Sequence, residues 1–78
     1  MPNNNLVSYI ANYNSQHNRH MIRVHLNSDF NSLKIILATR RDNMKVASWY
    51  KRLNKVNNYD NFQQVMIDRI KEKVNKLD

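Results

Sequence analysis

Apolar residues recur along this chain with two different spacings, and the change from one to the other divides it into elements. Leu6, Tyr9, Ile10 and Tyr13 fall at i, i+3, i+4 and i+7, which predicts a short helix over about 5–13. Asn3, Asn4 and Asn5 stand just before it as candidate N-caps. A strand over the same stretch would place Val7, Tyr9, Ala11 and Tyr13 on one face and fits almost as well.

After the polar segment 14–19 the period shortens to two. Ile22, Val24 and Leu26 alternate with Arg23 and His25, the mark of a half-buried strand rich in β-branched residues. Residues 27–32, Asn-Ser-Asp-Phe-Asn-Ser, are turn chemistry around one aromatic. Leu33, Ile35 and Leu37 then alternate with Lys34, Ile36 and Ala38. The expected unit is an antiparallel hairpin of about 20–27 with 33–40. Phe30, Leu33 and Leu37 also share a helical face, so a helix from Ser28 is the alternative.

Two amphipathic helices are expected to follow. Over 43–56, opened by Asp42-Asn43, Val46, Trp49, Tyr50, Leu53 and Val56 form one face at about 100° per residue. Lys45, Ser48, Lys51, Arg52 and Lys55 occupy the other. Over 60–77, Asp60 with Gln63 three residues on reads as a capping-box variant. Phe62, Met66, Ile67, Ile70, Val74 and Leu77 line the inner side of that helix. Its outer side mixes Asp68, Lys71, Glu72 and Lys76, a solvated surface of alternating sign. The chain thus reads as one small α+β domain over 1–78, with the last helix packed across the hairpin.

Composition sharpens this picture. The chain has no glycine and one proline, so its 14 asparagines must supply the turns and caps. With no cysteine, disulfides and thiolate metal sites are impossible. The longest apolar run, Ile35 to Ala38, is far short of a membrane span, and the uncharged start lacks the basic n-region of a signal peptide. A cytoplasmic or host-cytoplasmic location is the expectation. Asn and Lys richness fits an AT-rich reading frame of the kind common on phages and mobile elements. At 78 residues the core is small, so a homodimer or a bound partner would add useful stability.

Charge is the most localised feature. Residues 1–18 carry none, residues 56–78 balance four bases with four acids, and residues 19–55 hold nine bases against two acids. That middle segment carries the whole net charge of +7. Arg40, Arg41, Lys45, Lys51, Arg52 and Lys55, joined by Arg23 and Lys34, are the candidate contacts for an anionic partner. The expected function is non-catalytic binding of nucleic acid, DNA or RNA, through phosphates, as in a small regulator or replication accessory. Phosphates suit such a set, because Arg forks bind them in pairs and each neutralised phosphate releases counterions.

Other chemistries have less to stand on. A helix-turn-helix over about 37–53 would send Lys45, Ser48, Lys51 and Arg52 to the major groove, but its packing positions match only in part. Trp49 and Tyr50 could stack on bases, yet on a helix both fall on the apolar side and serve as core anchors. A protein-interaction module, docking its basic face on an acidic or nucleic-acid-binding surface of a host machine, is the main alternative. A small ribonuclease toxin using His20 or His25 with Arg23 and Lys34 is another. His17 and His20 lack a third ligand for a metal, and no cofactor is expected. Without glycine no phosphate-cradling loop exists.

Overall fold

In the computed structural model, which describes residues 5–27, 32–52 and 59–77, the chain folds as α1 (Leu6–Gln16), β1 (His20–Leu26), β2 (Ser32–Thr39), β3 (Lys45–Arg52) and α2 (Tyr59–Val74). The strands form one antiparallel sheet in the order β1-β2-β3. Both helices lie on one face of it, and α1 packs on β1 and on α2.

The first helix forms where its apolar spacing predicted and runs three residues further. Asn5 caps it, its side-chain oxygen accepting from the N–H groups of Val7 at 2.8 Å and Ser8 at 3.2 Å. Leu6, Ile10 and Tyr13 are buried, and Tyr9 packs against them. The last helix also follows its pattern: Met66, Ile67 and Ile70 are buried, with Phe62, Val74 and Leu77 beside them. Gln63, however, takes a long-range role. Its Oε1 accepts the Leu6 N–H at 2.9 Å, so it satisfies a donor at the start of the other helix.

The hairpin pairs β1 with β2 as expected, from His20↔Thr39 to Leu26↔Leu33. Its turn, including Phe30, lies outside the described residues, but Asn27 closes the mouth: its Oδ1 accepts from the Ser32 N–H and its own N–H donates to the Ser32 carbonyl. Of the three alternating residues of β1, only Ile22 is buried. Val24 and Leu26 face the helix side yet are 45% and 41% exposed. At Ile22 itself, Asn14 fastens α1 to β1 with two bonds. Its Nδ2 donates to the Ile22 carbonyl at 2.9 Å, and its Oδ1 accepts the Ile22 N–H at 2.7 Å.

The helix expected over 43–56 is a strand. Residues 45–52 pair with β2 from Ala38↔Lys45 to Ser32↔Arg52, with a bulge at Leu37/Ala38 that leaves Val46 as the extra residue. The physical reason lies in β2. Ile35 and Leu37 have no exposed surface, and a strand buried this deeply needs both edges hydrogen-bonded. A third strand supplies the second ladder and a helix would not. Val46, Trp49 and Tyr50 are also good strand formers, so tertiary pairing outweighs the helical spacing. Leu53, Val56 and Lys55 lie outside the described residues.

The β2–β3 turn shows what asparagine does in a chain without glycine. Asn43 sits at φ 57°, the left-handed region that glycine usually fills. Thr39 braces the turn: its Oγ1 donates to Asp42 Oδ1 at 2.6 Å and accepts the Met44 N–H at 2.8 Å.

Tyr9 provides a pH test of this packing. Burial first, and the neighbouring Tyr13 second, raise its phenol above the ordinary 10.0. A raised folded-state value means the native protein holds this proton more tightly than the unfolded chain. Its stabilising contribution is therefore complete below pH 10 and is lost as pH climbs through the folded value. Tyr9→Phe should flatten the alkaline fall in stability, measured as the urea midpoint above pH 10. An unchanged fall would contradict the packing of Tyr9.

Candidate functional site

Among the described residues the two helices lie on one side of the sheet and leave its other face open, and the strand register states what stands on it. Paired residues share a face, and alternate residues change face. Leu33, Ile35 and Leu37 point to the helices. Lys34 and Ile36 therefore point the other way, together with their partners on either side. The rows of that face are His25, Lys34 and Tyr50, then Arg23, Ile36 and Ser48, then Met21, Ala38 and Lys45, with Arg52 opposite Ser32 at one end.

Arg23, His25, Lys34, Lys45, Ser48, Tyr50 and Arg52 are all exposed, and Ile36 is half-buried at the centre. Neither helix covers these side chains. Along β3 the span from Arg52 to Lys45 is about 20 Å at roughly 3.3 Å per residue, and the outer strands lie about 10 Å apart. Four cations and an imidazole thus share a platform of that size. Within residues 32–52 the sole carboxylate is Asp42. It sits in the turn and accepts a bond from Thr39. The cations on the platform thus repel one another with no acid among them.

The structure sorts the eight candidates from the sequence into distinct places. Arg23, Lys34, Lys45 and Arg52 share the open face. Lys51 is opposite Leu33 and so belongs to the helix side, because consecutive strand residues cannot share a face. Arg41 is exposed at the hairpin tip. Lys55 lies outside the described residues. Arg40 is occupied within the fold: its Nε donates to the His17 carbonyl at 3.0 Å and its Nη2 to the Asn14 carbonyl. Those carbonyls end α1, which has no basic residue in its last turn. Arg40 supplies that cation from the β2–β3 turn instead.

The two aromatics also part company. Trp49 is opposite Ile35, facing the helices and packed against the core. Tyr50 is opposite Lys34 on the open face and is 61% exposed. Its assignment as a core anchor, drawn from helical spacing, is therefore corrected. Period-two alternation through Lys45–Arg52 was the signal that would have found it.

The three histidines lie apart, and of the two weighed for acid–base chemistry only His25 shares a face with Arg23 and Lys34. His25 is on the open face beside Lys34, while His20 is on the other side of β1. His17 stacks on Tyr13, with ring centroids 3.8 Å apart, and its Nδ1 is 2.9 Å from the Tyr13 carbonyl. His17, Arg19 and His20 border a cleft of about 360 Å³ between the ends of the two helices. Among the described residues no three His, Asp or Glu side chains could hold a metal ion, and no helix is long and apolar enough to cross a membrane. No family model, curated protein or solved structure matches this chain, so the chemistry of this face rests on its own residues.

Proposed function

We propose that this protein binds nucleic acid without catalysis, and that the open face of the sheet is the contact surface. The observation that supports the proposal is the gathering of Arg23, Lys34, Lys45 and Arg52, all exposed, on one face that carries no carboxylate among the described residues. Arginine and lysine at the rim of a flat platform meet phosphates well, the first by paired hydrogen bonds and the second by point charge. The helices offer no rival surface. α1 carries no charged residue, and α2 intersperses Asp68 and Glu72 with its bases. Neither can serve as a basic recognition helix.

Salt dependence tests the proposal. Four phosphate contacts predict a slope of about −3 in log K against log salt, so affinity should fall about fiftyfold between about 50 and 200 mM. Fluorescence anisotropy with labelled DNA and RNA measures this directly. Absence of binding at the lower salt, or affinity indifferent to salt, would remove the proposal. Capture of an acidic protein that survives nuclease treatment, with no nucleic-acid binding, would assign the same cations to a protein partner.

A further inference from the structure

Resting on the nucleic-acid reading of this face, we infer that its ligand is single-stranded and that Tyr50 is the platform on which a base stacks. Three observations on the page converge. Among the described residues Tyr50 is the large aromatic of the open face, with more than half its surface free. It stands in one row with Lys34 and His25, directly opposite Lys34 across the strands. Arg52 lies two residues further along β3 on the same face, and Ile36 offers an apolar centre. Tyr50 is 61% exposed and so is accessible to a ligand. Set among cations, it offers a π-face to a base while the cations take the flanking phosphates.

The shape of the surface favours a single strand over a duplex. A major groove about 12 Å wide admits a helix or a two-stranded ribbon edge-on. This face is three strands wide and backed by two helices, broader than the ribbon that enters such a groove. Paired bases are also stacked inside the duplex and cannot reach Tyr50. An unpaired strand lies flat on such a face and turns its bases toward the sheet, as single-strand-binding sheets do. The length from Arg52 to Lys45, about 20 Å by strand rise, accommodates about two to four nucleotides.

The test compares oligo(dT) and oligo(U) of about 12 nucleotides with a duplex of equal length, for wild type, Tyr50→Ala and Tyr50→Phe. Single strands should bind at least about tenfold more tightly than the duplex. Tyr50→Ala should lose about tenfold or more on single strands and little on the duplex, and Tyr50→Phe should bind as wild type. Circular dichroism and thermal melting confirm that the variants fold, and Tyr50→Leu provides a second non-aromatic strand former. Equal affinity for both forms, or single-strand binding by Tyr50→Ala and Tyr50→Leu at wild-type strength, would overturn the inference. In that event loss of binding on removing the open-face cations would still uphold the broader proposal. A wild-type protein that binds none of the three probes overturns both.

Discussion

Ile35→Ala should remove a large share of the protein's stability at 25 °C. Ile35 has no exposed surface, pairs with Val24 and Trp49, and belongs to the cluster that includes Met66 and Ile70. Truncating such a residue costs about 2–5 kcal/mol, because transfer and cavity effects add. A chain of 78 residues has roughly 4–12 kcal/mol of total stability at the usual 0.05–0.15 per residue. The informative comparison is with its two neighbours. Lys34→Ala, on the open face, should change stability by no more than about 0.5 kcal/mol. Ile36→Ala, half-buried there, should cost clearly less than Ile35→Ala. Urea titration of all three gives the order. A larger loss at Ile36 than at Ile35 would mean that β2 faces the other way, and the proposed contact surface would go with it.

Replacing Arg23, Lys34 and Arg52 together with glutamine should weaken single-strand binding about a hundredfold at 0.1 M salt. The figure follows from counterion release: each phosphate contact contributes about 0.7 to the slope, so three contribute about two powers of ten relative to 1 M. The slope itself should fall by about 2. Lowered net charge alone would weaken any anion's binding, so a second triple variant is needed. Arg41, Lys51 and Arg69 are exposed, and their replacement with glutamine removes the same charge from other surfaces. That variant should remain within a few-fold of wild type. Equal losses in the two triples would show that overall charge, rather than the open face, holds the ligand.

Much of this organisation was legible in the residues, for identifiable reasons. Both helices rest on stripes that local spacing displays, Leu6-Ile10-Tyr13 and Met66-Ile67-Ile70, and the first hairpin on a clean alternation over 20–26. Asn5 and Asn43 take up the capping and left-handed roles expected where glycine is missing. The third strand was hidden because Val46, Trp49 and Tyr50 satisfy a helical period, and only the pairing demand of β2 decides otherwise. The same ambiguity blurred the site. On a helix Lys51 and Arg52 would share one side, whereas on a strand they must separate. Arg40 shows a further limit: nothing local to it announces a bond to a helix end 23 and 26 residues away.

The sheet order has a bearing on how this chain reaches and leaves its native state. Every strand pairs with its neighbour in sequence, so the meander closes only small loops, and such contacts form early. α1 also docks locally, through Asn14 and Ile22 eight residues apart, whereas α2 joins over far greater separations, 57 residues between Leu6 and Gln63. Docking of α2 is thereby expected late in folding and early in unfolding. A molecule caught between those steps presents the side bearing Ile22, Ile35 and Leu37 to water, an adhesive sheet surface from which aggregation would start.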